Sequence, residues 1–197
     1  PILFLARNNN TLIVADNVSK YYAIDINSGE LLWTKNNSSP FNSQVKIFKD
    51  KFFVIDFENV LKCFSLKNGK EIWRVKTEKS FIKSQKKLSL VIINDAVYFN
   101  NSIGDISAIN INNGNLIWQT PTRGSIVLDS NIFLKTSDLI ADNSTILFSN
   151  NQNEFFSLDL ATGVLNWKQK INSSLRPTLI DNLIFTVSLE GFLFVIE

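Results

Sequence analysis

Apolar and polar positions along this chain recur in step with four glycines. Sixteen residues before Gly29, Gly69, Gly114 and Gly163 stand Ile13, Phe53, Tyr98 and Leu147, and Phe185 holds the matching place in a fifth copy. The flanking residues are apolar too: Leu12 and Val14, Phe52 and Val54, Val97 and Phe99, Ile146 and Phe148. Neighbouring strand residues point to opposite faces, so a strand apolar at successive positions is buried on both sides. The next segment in each copy, residues 22–26, 62–66, 107–111 and 156–160, alternates as a strand does. A turn follows, carried by Asn27-Ser28-Gly29, Lys67-Asn68-Gly69, Asn112-Asn113-Gly114 and Ala161-Thr162-Gly163. Glycine accepts a positive φ at little cost, which suits a tight hairpin. Four residues after each glycine comes a tryptophan: Trp33, Trp73, Trp118 and Trp167.

The tryptophans are spaced roughly 40 to 50 residues apart, the period of a four-stranded propeller blade. The pattern therefore predicts an all-β fold, a β-propeller of four-stranded antiparallel blades. The blades fall at about 1–36, 42–76, 81–121 and 126–170, with an incomplete fifth at 177–197 that lacks its turn, outer strand and tryptophan. All five belong to one partial propeller spanning residues 1–197. Residues 2–7 form either the first strand of blade one or a partner for the open edge of blade five, and the need of residues 11–16 for a neighbour favours the first. A large ring at the end of each outer strand covers the edge of its blade and wedges against the next. At ~25 cal/mol per Å² and about 150–250 Å² per ring, each contributes roughly 4–6 kcal/mol as an upper estimate. Two insertions lengthen the array, at residues 76–87 and 121–137. Long loops between blades are where such a scaffold carries specificity.

Composition narrows the chemistry. With 45% hydrophobic residues among 197, the chain is a folded one. It has no histidine, which removes the commonest general base and metal ligand. Its one cysteine, Cys63, lies in an apolar run and reads as a small core residue. The net charge is +2, with no basic stripe of the kind nucleic acid needs. No apolar run reaches the roughly 18–20 residues of a membrane span. The chain contains no methionine and opens on Pro1, which is not a natural translation start, so whatever signal peptide, lipid anchor or first blades the gene encodes are out of view.

Candidate sites have bland readings beside them. The glycine–tryptophan units repeat, and a packing device repeats where a ligand site is unique. Asp25 and Asp159 recur at one position, with Asn110 and Ser65 as stand-ins, and read as side chains bonded to the following turn. Asp50, Asp56 and Glu58 could pair as catalytic carboxylates but read as solvated turns. Gly104 and Gly191, replaced elsewhere by Ser19, Asn59 and Asn153, read as turn residues and not as a phosphate loop. Lys83, Lys86 and Lys87 form the densest basic spot, in the first insertion, either a solvated loop or a rim contact for an acidic partner.

The phrase Ala23-x-Asp25-x-x-Ser28-Gly29-x-x-x-Trp33 resembles the PQQ-like repeat, as do its copies ending at Trp118 and Trp167. The copy ending at Trp73 departs from it with Cys63 and Ser65 at its first two positions. The chain is most similar to the outer-membrane assembly lipoproteins of the BamB type. That resemblance implies an eight-bladed, cofactor-free scaffold, of which 197 residues would be a piece. It also implies binding of the barrel-assembly machinery through two loops on one face, in the periplasm at the outer membrane. The matching loops here are residues 80–87 and 126–138. The family's leucine-and-arginine loop is replaced by Ile82, Lys83, Ser84 and Gln85, followed by Lys86 and Lys87, and the family's paired aspartates have Asp138 as their nearest acid. No catalytic residue, cofactor or metal ligand is expected. Two alternatives stand beside this reading: a fragment of a PQQ-dependent quinoprotein dehydrogenase, and an extracytoplasmic propeller that binds another ligand.

Overall fold

The computed structural model describes residues 2–78, 86–122 and 135–197. The described residues are strands, turns and loops, without a helix. Contacts divide the chain into two compact units, Pro1–Leu88 with the turn Asn112–Asn115, and Ser89–Ile111 with Leu116–Glu197.

The first unit contains two four-stranded antiparallel sheets. In one, β1 (Leu3–Asn8), β2 (Thr11–Asp16), β3 (Lys20–Asp25) and β4 (Leu31–Asn36) lie side by side in chain order. In the other, β5 (Lys46–Phe48), β6 (Lys51–Ile55), β7 (Val60–Ser65) and β8 (Glu71–Lys76) do the same. Residues 2–7 thus supply β1, which pairs with β2 from Leu3↔Asp16 to Asn8↔Thr11. The two sheets share one core in which Phe4, Ile13 and Tyr21 of the first meet Phe41, Phe52, Val54 and Phe64 of the second. On β6, Phe52, Phe53, Val54 and Ile55 are all fully buried. Four consecutive apolar residues can be buried only if both faces of the strand are covered.

The second unit holds three sheets. The first of these orders β9 (Leu90–Ile93), β10 (Ala96–Asn100), β11 (Ile106–Asn110) and β12 (Leu116–Thr120). The second orders β13 (Ile140–Ala141), β14 (Thr145–Asn150), β15 (Glu154–Asp159) and β16 (Leu165–Gln169). The last has three described strands, β17 (Thr178–Ile180), β18 (Leu183–Val187) and β19 (Leu193–Ile196). Ala96, Tyr98, Ile106 and Ala108 pack on Ile146, Phe148, Phe156 and Leu158. Ile140, Leu147 and Phe155 pack with Ile171 and Ile184. These are propeller blades in sequence and in pairing.

Each fourth strand carries a β-bulge at the same place. The register slips between Ala23 and Ile24, Cys63 and Phe64, Ala108 and Ile109, and Ser157 and Leu158. One extra residue per outer strand (Leu32, Ile72, Ile117 or Asn166) lies between the turn and the tryptophan. A bulge raises local twist and re-aims the residues after it. Here it sets the indole opposite a small residue of its own sheet: Ala23, Cys63, Ala108 or Ser157.

Candidate functional site

Every four-stranded sheet has two distinct ends. At one end lie both hairpin turns, β1–β2 with β3–β4 and their counterparts. A backbone bond ties each such pair: Ile26 N–H to the Asn10 carbonyl, Leu66 to Asp50, Ile111 to Asp95 and Leu160 to Ser144, at 2.7–2.9 Å. At the other end lie the β2–β3 type turns and the chain leaving for the next sheet, joined where Asn37 N–H donates to the Ser19 carbonyl and Thr77 N–H to that of Asn59. The first is the turn end of the sheet, the second its loop end.

At the turn end, Asp25 Oδ1 accepts the amides of Asn27 and Ser28, each at 2.9 Å, and Asp159 Oδ1 accepts the amide and hydroxyl of Thr162. These bonds hold both carboxyls below the usual carboxylate range, the Ser28 amide contributing most at Asp25 and the Thr162 hydroxyl most at Asp159. The glycines that follow all have positive φ, from +66° to +76°.

The tryptophans reach forward. Trp33 lies over Gly69, Trp73 over Gly114 and Trp118 over Gly163. A Cβ added at Gly69 would sit 2.7 Å from the Trp33 ring, and one at Gly114 would sit 3.0 Å from that of Trp73. Polar bonds fasten the joint. Trp33 Nε1 donates to the Leu66 carbonyl at 3.2 Å, Tyr21 Oη to that of Gly69 at 3.0 Å, Trp118 Nε1 to that of Leu160 at 3.1 Å, and Thr120 Oγ1 to that of Gly163 at 2.6 Å. Trp33 also stacks on Phe52, 6.0 Å between centroids, and Trp167 stacks on Phe155 at 5.9 Å. All four indoles are half-buried. Gly29 has nothing within 4 Å of a notional Cβ.

The loop end holds a second repeated device that the sequence reading missed. Asp16 Oδ1 accepts the amides of Val18 and Lys20, Asp56 those of Glu58 and Val60, Asn101 those of Ile103 and Asp105, and Asn150 those of Gln152 and Glu154. Three residues after each of these stands a positive φ, at Ser19, Asn59, Gly104 and Asn153. The signal was present in the sequence, because all four Asx residues precede their blade's glycine by the same interval.

Asp56 corrects an expectation. It reads as a solvated turn residue, yet it is 1% exposed. Its second oxygen lies 3.4 Å from Lys62 Nζ, itself buried, and Lys62 donates to Asn37 Oδ1 as well. Two buried opposite charges with further hydrogen bonds are a satisfied structural group. Cys63 is buried, and burial pushes its thiol up to about 12, so it stays protonated and inert at neutral pH.

Of the loop residues singled out by sequence, Ile82, Lys83, Ser84 and Gln85 lie outside the described residues. Lys86 and Lys87 belong to the first unit, at the loop end of the second sheet. The Lys86 carbonyl accepts Asn42 Nδ2 at 2.9 Å, and Leu88 N–H donates to the Asn42 carbonyl at 2.7 Å. Lys87 is exposed. Asp138, in the second unit, is half-buried, and its carbonyl accepts the Ser137 hydroxyl. A cleft of about 200 Å³ runs from Thr120 and Thr122 to Phe156 and the Glu154–Lys168 ion pair. Among the described residues, no three His, Cys, Asp or Glu side chains converge where they could hold a metal ion, and no helix is long and apolar enough to cross a membrane.

Comparison with known proteins agrees with this geometry. The sequence model of the family described as outer membrane protein assembly factor BamB matches residues 3–196. The chain belongs to the BamB family. Crystallised BamB from Moraxella catarrhalis superposes with a TM-score of 0.80 at 14% identity, covering 98% of this chain and 60% of that one. The computationally designed Ika8 protein gives 0.76 at 13% identity over 97% and 56%, and a europium-containing methanol dehydrogenase 0.69 at 13% over 93% and 44%. At such identities the likeness is one of fold. The chain spans about three fifths of the length of the Moraxella BamB. No curated protein sequence matches it.

Proposed function

We propose that this BamB-family chain is a non-catalytic scaffold that helps assemble β-barrel proteins into the outer membrane. The observation that carries the reading is the family match over residues 3–196. The geometry is consistent with it. Asp25 and Asp159 are engaged in turns, Asp56 in a pair with Lys62, and the cysteine is inert. A scaffold of this kind would hold its inter-blade loops out to a partner, whose binding would gain specificity from placement instead of chemistry. On this reading the protein works in the periplasm at the outer membrane, and its partner is the barrel-assembly machinery. The blades run at about 1–36, 42–76, 81–121, 126–170 and 177–197, with the glycine–tryptophan joints as structure and the loops carrying Ile82, Lys83, Ser84, Gln85, Lys86, Lys87 and Asp138 as the contact.

The test is recovery of barrel-assembly proteins from a bacterial membrane extract by the tagged chain. Recovery is expected, and Lys87→Glu with Asp138→Lys is expected to reduce it several-fold, since rim charges chiefly tune association. Recovery of nothing counts against the scaffold. The dehydrogenase alternative draws on the shared fold alone. It would be revived if PQQ with calcium or a lanthanide bound the chain with a shifted quinone absorbance.

A further inference from the structure

The turn ends of the sheets carry different charge. Residues 8–11 and 25–30 of the first sheet present Asp25 and Glu30 and no cation. The corresponding turns present Asp95 alone in the β9–β12 sheet, and Asp142 and Asp159 in the β13–β16 sheet. The β5–β8 sheet reverses this. Its turns, residues 48–51 and 65–70, hold Lys49, Lys51, Lys67 and Lys70 against the single acid Asp50. The Leu66 N–H to Asp50 carbonyl bond draws the two turns together, so the four lysines share one end of one sheet. Lys49, Lys67 and Lys70 are exposed. Lys51 is pinned at 3.3 Å to Asp50, and Lys49 lies 4.9 Å above the Phe48 ring.

We propose that this turn end is a docking surface for a short acidic polypeptide segment. The size of the patch selects the occupant. Four strands about 4.8 Å apart span roughly 15 Å. Four or five extended residues at about 3.3 Å each cover the same length. A broad anionic surface such as a lipid bilayer would also meet Asp25 and Glu30, which the first sheet presents at its own turn end within the same unit. A narrow segment laid across the two lysine-bearing turns avoids them. The surface lies at the opposite end of its sheet from Lys86 and Lys87, so it is independent of the scaffold reading above.

The probe is a fluorescently labelled peptide with four consecutive glutamates, titrated with the protein at about 50 mM salt, where screening is still modest. Binding is expected, and it weakens steeply as salt rises. Replacing Lys49, Lys67 and Lys70 together by Gln should weaken it about tenfold, in line with three exposed charge contacts. Replacing Lys35 and Lys76, exposed at other places, should leave it within about twofold on the same reasoning. All five positions are exposed, and unchanged circular dichroism and melting temperature would show that the fold persists. Absence of peptide binding by the wild-type chain overturns the proposal, as does equal binding by the triple variant. Binding to phosphatidylglycerol vesicles without binding to the peptide overturns it in favour of a lipid surface.

Discussion

Gly29 and Gly69 occupy the same place in the same phrase, with φ of +73° and +66°. Their surroundings differ. Around a Cβ at Gly29 there is open space, whereas one at Gly69 would meet the indole of Trp33. Within this chain glycine is therefore needed at both positions for its backbone, and at Gly69 for its missing side chain as well. Two independent constraints produce one letter in the sequence, and only the neighbour across the joint tells them apart.

That difference can be tested by breaking it. The largest effect is expected from Trp33→Ala, which removes a ring stacked on Phe52 and uncovers Gly69. A loss of about 3 kcal/mol in chemical denaturation is expected, the low end for an aromatic truncation because the ring is half-buried. Gly69→Ala comes next, at about 2–3 kcal/mol, as the left-handed backbone and the clash add together. Gly29→Ala should cost only about 1 kcal/mol, the backbone part alone. The sharper test is the double variant. With Trp33 already Ala, Gly69→Ala should fall towards the Gly29 value, and a full additive loss would show that the indole is not what Gly69 makes room for.

A smaller effect concerns pH. Burial, reinforced by Glu71, pushes the Tyr21 hydroxyl up to about 12. A folded value above the unfolded one of about 10 means that the neutral phenol, bonded to the Gly69 carbonyl, contributes stability that is intact below pH ~10. It is lost as pH climbs from there towards 12. Thermal melts across that window should fall more steeply for the wild type than for Tyr21→Phe. In acid the sign is opposite. The lowered carboxyls of Asp25 and Asp159 contribute above the ordinary range near pH ~4 and lose it as pH drops through their folded values. Asn at both positions should blunt that acid loss.

The fold was legible because its signals are local and repeated: apolar runs, a turn glycine and a tryptophan at a constant step. The partner of each indole was not. Trp33 stands four residues from Gly29 yet covers Gly69, a contact that no spacing within one repeat reveals. The Asx turns were hidden for another reason. Asp16, Asp56, Asn101 and Asn150 differ in residue type, and in blade two an acid with Lys62 nearby reads as surface charge although both are buried. For the candidate site the insertions give the loops an expected position only, since most of the first loop's named residues fall outside what the structure describes. The basic turn end was overlooked because its lysines are dispersed through the sequence and gather only once two hairpins meet.

The forward reach of the indoles gives the array a direction of failure. When an outer strand peels away, its ring leaves with it, and the joint opened is the one on the succeeding blade's turn. Trp33 exposes Gly69 and Trp118 exposes Gly163. Opening of one outer strand is therefore expected to bare the turn ahead of it, as a lifted shingle bares the one it overlaps.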